Sequence, residues 1–153
     1  MIKDALTLFR EDLPLPDTGN IRNDLLYIAK EAQELFNRNP LPGKLITKLI
    51  AEIKTKPEIY HVFYEKLAAP RVQQFRQLVE RAKARGELRP DLDTPFIVSL
   101  IFTSLVYSNI FTELIDPDAQ QVYDPEAAVD ALLRGIGTHQ CGQPNDANTK
   151  RSW

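Results

Sequence analysis

Residues 94–112, TPFIVSLIFTSLVYSNIFT, carry no charge, and Asp93 and Glu113 bracket them. Asp93 or Thr94 can cap a helix at this point, and Pro95 suits its first turn. Phe96, Ile97, Val98, Leu100, Ile101, Phe102, Leu105, Val106, Tyr107, Ile110 and Phe111 leave almost no polar face. A helix that is apolar all round must be buried on several sides. That admits two settings, a membrane or a protein interior. The stretch lies at the lower edge of the ~20 apolar residues that a span requires. Ser99, Thr103, Ser104, Ser108 and Asn109 interrupt it, and no basic cluster flanks it, which argues against the membrane. The remaining solution is a central helix covered by its own chain on one side and by a second subunit on the other. A chain of 153 residues rarely encloses such a helix alone.

The rest of the composition fits a soluble domain: 43% hydrophobic, 26% charged, net charge −2. No overall basic field advertises nucleic-acid binding. The single cysteine, Cys141, sits in a polar stretch and cannot form an internal disulfide, in keeping with a reducing cytoplasm. Charges in MIKDALTLFRED occupy the place where a signal peptide needs an apolar core.

Along the chain, the apolar spacing is helical throughout. Ile2, Ala5, Leu6 and Phe9 share a face in residues 2–10, a short helix that reads as the end of something longer. Pro14 and Pro16 then enforce an extended break. Residues 17–20, Asp-Thr-Gly-Asn, supply turn and capping chemistry. A helix over 21–37 turns Ile21, Leu25, Ile28, Ala29, Ala32, Leu35 and Phe36 inward, with Arg22, Asp24, Lys30, Glu31 and Glu34 opposite. Residues 39–43 close it, and a helix over 44–54 follows. Thr55-Lys56-Pro57-Glu58 has the pattern of a capping box with proline in the first turn. The next helix reaches Arg85 and is kinked, or divided, at Pro70. Gly86 ends it with a left-handed cap. After the central helix, Asp124 and Pro125 start a last helix with Ala128, Val129, Leu132, Leu133 and Ile136 on its apolar face; Gly135 and Gly137 end it. No segment sustains a two-residue alternation. The expected fold is all-α, a helical bundle of about six or seven helices. The expected divisions are 1–12, the end of a linker helix; 13–137, the domain proper; and 138–153, a mobile polar tail.

Three strings give the chain a family resemblance. Asp17-Thr18-Gly19 followed by Asp24-Leu25-Leu26 opens the domain, Leu67-Ala68-Ala69-Pro70-Arg71 stands at the kink, and Ala84-Arg85-Gly86-Glu87-Leu88-Arg89-Pro90-Asp91-Leu92-Asp93 leads into the apolar helix. In this order and spacing, over residues 17–137, they resemble the C-terminal ligand-binding and dimerisation domain of TetR-type transcriptional regulators. The resemblance implies a homodimer joined through a four-helix interface made by the last two long helices of each subunit. It also implies a small apolar or amphipathic ligand inside each subunit, and release of an operator when that ligand binds. DNA contact would come only through a helix-turn-helix head. No helix-turn-helix pattern and no clustered basic recognition helix stands ahead of residues 2–10. The expectation is therefore a domain without its head, either excised or the product of a truncated gene, located in the cytoplasm.

Catalytic and metal chemistry find no footing in the residues. His61 and His139 lie far apart, no Cys/His/Asp/Glu group has ligand spacing, and the glycines stand singly at helix ends. Cys141 lacks an environment that would lower its pKa. No enzyme activity and no cofactor are expected. Arg71, Arg76, Arg81, Lys83, Arg85 and Arg89, interspersed with Glu80 and Glu87, read first as a solvated helix face.

The aromatic residues admit two readings. Each taken alone is ordinary core. Together, Phe36, Tyr60, Phe63, Tyr64, Phe75, Thr103 and Tyr107 can line a mostly apolar pocket with a few polar anchors, near neutral and suited to an apolar or aromatic ligand. The expected dimer contact is Ile101, Ser104, Leu105 and Ser108 on the central helix, with Val129, Leu132, Leu133 and Ile136 on the last. The small hydroxyls there either allow close approach of a second copy or bond back to their own helix. The competing expectation for the whole chain is a ligand-free helical module that pairs with a full-length regulator.

Overall fold

A computed structural model describes residues 15–38, 41–53, 55–109, 116, 118 and 124–138. The expected opening helix at 2–10 and the polar tail lie outside the described residues. Among the described residues six α-helices follow in order: α1 (Ile21–Arg38), α2 (Leu41–Ile53), α3 (Pro57–Phe63), α4 (Ala69–Ala84), α5 (Thr94–Ile101) and α6 (Pro125–Ile136). Two wide, π-helical segments lie among them. Tyr64–Ala68 joins α3 to α4, and Phe102–Tyr107 extends α5. Among the described residues the only extended pairing is a single antiparallel bridge between Leu88 and Gly137. The all-α expectation holds.

The core is one continuous cluster. α1 contributes Ile21, Leu25, Ile28, Ala29 and Ala32; α4 contributes Phe75, Leu78, Val79 and Ala82; α5 and its extension contribute Ile97, Val98, Ile101, Leu105 and Val106; α6 contributes Val129, Leu133 and Ile136. The apolar stripes predicted for α1 and α6 thus face inward. Helix α2 finds its main neighbour in α3, while α1 packs on α6 and on the extension of α5. Fully burying a leucine or isoleucine side chain is worth about 1.5–3 kcal/mol, so this four-helix cluster holds the fold.

The helix ends follow local chemistry, with exceptions. Gly19 and Gly86 adopt φ of 82° and 78°, the left-handed region that glycine enters without penalty. The Asn20 side-chain oxygen accepts the Arg22 and Asn23 N–H groups at 2.8 and 3.2 Å and starts α1. Asp124 accepts the Glu126 N–H at 3.0 Å and starts α6. At α3, however, the cap position falls on Lys56, and no side-chain cap bond forms. Thr55 instead donates its hydroxyl to the Glu52 carbonyl at 3.2 Å, so the expected capping box is not made. Asp93 likewise stands at the α5 cap position without a side-chain bond, while Thr94 donates to Glu80. Helix α2 begins at Leu41, earlier than expected. Pro42 and Gly43 are accommodated because first-turn N–H groups have no intrahelical acceptor to lose.

Two α-helices meet beside Pro70, as one of the two expected arrangements has it, and a π-helical segment joins them. Pro70 occupies the first turn of α4, directly after the π-helical segment Tyr64–Ala68. A proline ring clashes with the carbonyl four residues earlier in a regular α-helix, and a wider turn at that point relieves the clash.

Candidate functional site

The two π-helical segments carry aromatic residues that take part in two groups of ring contacts. Phe75 and Phe102 lie with ring centroids 4.4 Å apart, and Phe102 and Tyr107 lie 5.8 Å apart. Tyr60 and Tyr64 pair at 6.0 Å. Burial raises the Tyr107 phenol above the ordinary tyrosine value, and the nearby Tyr60 phenol adds to the rise by opposing a second negative charge. The Arg71 guanidinium stands 5.7 Å from the Phe75 ring centroid, a cation–π arrangement. Arg71 also donates to the Gln74 side-chain oxygen at 2.9 Å. Burial lowers its pKa from the usual arginine value, opposed by the phenol of Tyr27 on α1. The guanidinium remains a cation at any physiological pH.

Tyr27 is 51% exposed and Tyr60 39% exposed, whereas Phe75 is 3% exposed. Ring separations of this order favour tilted and offset contacts, and each of these ring pairs is tilted. The rings of Phe75, Phe102 and Tyr107 thus make an aromatic layer with the Arg71 guanidinium beside Phe75.

π-helical turns are uncommon and recur at functional positions. In the second one, the Ser104 hydroxyl donates to the Leu100 carbonyl at 2.5 Å, the Ser108 hydroxyl donates to the Ser104 carbonyl at 2.7 Å, and the Asn109 amide donates to the Leu105 and Val106 carbonyls. Side chains thus bond back onto carbonyls of the widened turn and its continuation, the local pairing that the small polar residues allow.

The expected ligand residues are only partly brought together. Phe75 and Tyr107 meet through Phe102, which the expected set omitted, and Tyr60 and Tyr64 form a pair of their own. Arg71 stands beside Phe75, although its sequence neighbourhood suggested a solvated face. Thr103 is exposed. Phe36 is partly buried against the core, and the side chain of Phe63 lies outside the described residues. A signal for Arg71 existed in the sequence: it lies four residues before Phe75, the spacing at which helical side chains meet.

The expected dimer residues lie deeper than a partner contact requires. Ile101, Leu105 and Val129 are 0% exposed, and Leu133 and Ile136 are 6% and 3% exposed, all within one chain. Five of the eight are thus enclosed by their own subunit and present almost nothing to a partner. Ser104, Ser108 and Leu132 are partly buried. The outer surface of α5 and its extension carries Phe96, 52% exposed, with Ser99 and Thr103. The outer surface of α6 carries Ala127, Ala131 and Gly135.

A second polar centre ties the start of α1 to the end of α4. Asp24, expected on the solvent face, is 1% exposed. Its carboxylate accepts the Thr18 N–H at 2.9 Å and the Thr18 hydroxyl at 2.7 Å, and Arg85 approaches it to 3.9 Å. Arg85 also donates to Glu87 at 3.0 Å, and Glu87 accepts the Ile21 N–H at 3.0 Å, serving one of the free N–H groups that open α1. Each charge in this cluster therefore has a partner, as a buried charge requires. Among the described residues no group of His, Cys, Asp and Glu is arranged to hold a metal ion. Nor is any described helix long and apolar enough to cross a membrane.

Comparison with known proteins places the fold and the residues in a family. Residues 15–132 match the family model of the tetracyclin repressor-like C-terminal domain. The uncharacterised HTH-type transcriptional regulator YdeS of Bacillus subtilis is 29% identical over 108 residues, 70% of this chain and 53% of that protein. The HTH-type transcriptional regulator AqdR of Rhodococcus erythropolis is 28% identical over 135 residues, 88% of this chain and 62% of that protein. The chain thus spans between half and two thirds of the length of these curated relatives. No solved structure matches significantly. The family match covers most of the chain and agrees with its all-helical core, and the chain belongs to the tetracyclin repressor-like C-terminal domain family of TetR-type transcriptional regulators.

Proposed function

We propose that this domain senses a small, largely aromatic molecule and pairs two copies of a transcriptional regulator. The observation that carries the reading is the set of ring contacts on and beside the two π-helical segments, with a surface-exposed ring at Tyr27 and Tyr60 and a buried one at Phe75. A molecule inserted among these rings separates α3 and α4 from the α5 extension, and so acts on elements that also pack against α1 and α6. In this reading a helix-turn-helix domain reads the operator, as the names of the relatives indicate for those proteins. Residues 15–138 take no part in reading bases. The partner surface is the outer side of α5 and α6, around Phe96, Ser99, Ala127 and Ala131.

A thermal-shift screen of aromatic metabolites tests the sensing role. A ligand at 100 times its dissociation constant raises the unfolding free energy by about 2.7 kcal/mol. Phe75→Ala and Tyr107→Phe should weaken every hit while leaving the association state unchanged. Hits that are indifferent to both variants place the ligand elsewhere.

The near-complete burial of Phe75 and the unbroken core around it favour a second reading, a ligand-free dimerisation module that pairs with a full-length regulator. That reading calls for mixed dimers on co-expression and no stabilisation by any aromatic compound.

A further inference from the structure

We propose that α2 and α3 form a flap that swings on the π-helical segment Tyr64–Ala68 and opens as a unit while the cluster of α1, α4, α5 and α6 stays folded. The flap goes beyond the sensing reading and does not depend on it, since it concerns which part of the chain can move.

Burial is divided unevenly along the chain. The core cluster draws on α1, α4, α5 with its extension, and α6, together with Leu88 in the connector. Among the described side chains, none from α2 or α3 belongs to that cluster or packs against it. The described side chains of α2 are exposed or half-buried. Every residue from Pro57 to Val62 is exposed, with Ile59 at 44% and Val62 at 54%. The main neighbours of these two helices are each other and the π-helical segment. Apolar burial is the dominant favourable term in folding, so α2 and α3 are held far less firmly than the rest. Regions with few buried apolar contacts open below the free energy of global unfolding, in cooperative units of about one supersecondary motif. The turn between α2 and α3 keeps them together: the Thr55 and Lys56 N–H groups donate to the Glu52 carbonyl at 3.1 and 2.8 Å.

The hinge has a definite place. Helix α3 runs into α4 through Tyr64–Ala68, and Pro70 follows in the first turn of α4. Proline has no N–H, so one rung of the helical ladder across this joint is missing. Sharp bends in helices fall at such prolines and π-turns. Ala68 is buried, whereas Glu65 and Lys66 just ahead of it are exposed, so the change from held to free falls inside the π-helical segment. A molecule that binds only the open or only the closed form changes the balance between them. The flap is thus a point at which this fold can be controlled.

Native-state hydrogen exchange of the full chain tests the flap, read by mass spectrometry at pH 7 in urea below the unfolding transition. The amides of α2 and α3 should share one opening free energy and exchange about a hundredfold or more faster than the slowest amides of α1, α4 and α6. Their rates should rise with urea on a shallower slope, because less surface is exposed in the opening. Ile97→Val, a mild change in the core, should speed the slowest core amides by about two- to twelvefold and leave α2 and α3 unchanged. Pro70→Ala restores an N–H at the joint and should slow α2 and α3 by a factor of about the same size. Exchange of α2 and α3 on the urea slope of the core, or its acceleration by Ile97→Val in step with the core, means that the domain opens only as a whole and overturns the flap. Separate rates for each residue with no urea dependence mean fraying and overturn it as well. Pro70→Ala without effect on α2 and α3 overturns the placement of the hinge. Should Pro70→Ala fail to fold, the urea slopes and Ile97→Val decide by themselves.

Discussion

Asp24 shows how much a single side chain decides. Its helix position, three residues after Ile21 and one before Leu25, reads as the polar side of α1, yet it is 1% exposed. The carboxylate is drawn inward by Thr18, which arrives from the chain preceding the helix, and by Arg85 from the end of α4. Asp24→Ala leaves the Thr18 N–H and hydroxyl without an acceptor and should cost about 2–3 kcal/mol, read as a lower urea midpoint. Asp24→Asn keeps an acceptor oxygen and should cost less. Tyr107 yields a prediction of a different kind. Its pKa is raised above the ordinary tyrosine value of 10.0, first by burial and then by Tyr60. The folded state therefore holds its proton longer than the unfolded state does. Its effect on stability is constant below pH ~10 and turns unfavourable as pH rises from there towards the folded pKa. A spectrophotometric tyrosine titration should show a late-ionising phase that Tyr107→Phe removes, and the same variant should flatten the fall in stability over that alkaline range.

The helix ends separate caps that work from caps that only look right. Asp124 bonds the Glu126 N–H at 3.0 Å, and Asp124→Ala should cost about 1 kcal/mol. At α3 the cap position holds Lys56, whose side chain makes no such bond. Lys56→Asp should stabilise the domain by about 0.5–1 kcal/mol. Both changes are checked by chemical denaturation. The π-helical segments belong to this scale as well. Pro70 signalled a disturbance, but the local string does not say whether a proline produces a break, a kink or a wide turn. The answer depends on what the neighbouring carbonyls find to bond. In the α5 extension the serine hydroxyls supply donors to those carbonyls, and no proline marks that turn at all.

For the whole molecule the open question is which surface meets a second copy. Our proposal predicts a dimer in sedimentation equilibrium, twice the 17.4 kDa chain mass. Phe96 is 52% exposed and Leu105 is 0% exposed, so the two positions should respond differently to a charge. Phe96→Asp should weaken association and leave the helical content of the monomer intact. Leu105→Glu should unfold the chain, because it buries a charge among Ile101, Val106 and their neighbours. A wild-type chain that sediments as a monomer at micromolar concentration removes the dimer proposal.

Periodicity alone determined the helices, because the apolar stripes of 21–37 and of the last helix each have one wet side and hence one possible inner side. Glycine and proline fixed most of the ends, since backbone freedom and a missing N–H act within a few residues. The family likeness was legible for the same reason, in short strings at turns and kinks. The stretch 94–112 is different. It is apolar on every side, so its pattern contains no direction, and Ile101 and Leu105 were as eligible for a partner as Phe96. Only packing against α1, α4 and α6 chose the inner face. The site obeys the same rule. Aromatic residues at inward positions were visible one by one, but the meeting of Phe75, Phe102, Tyr107 and Arg71 depends on how far each helix turns before it reaches the next. The two wide π-helical turns alter that rotation. Rotation accumulates along a helix from every hydrogen bond in it, and so it was settled by the tertiary structure and not by any local string.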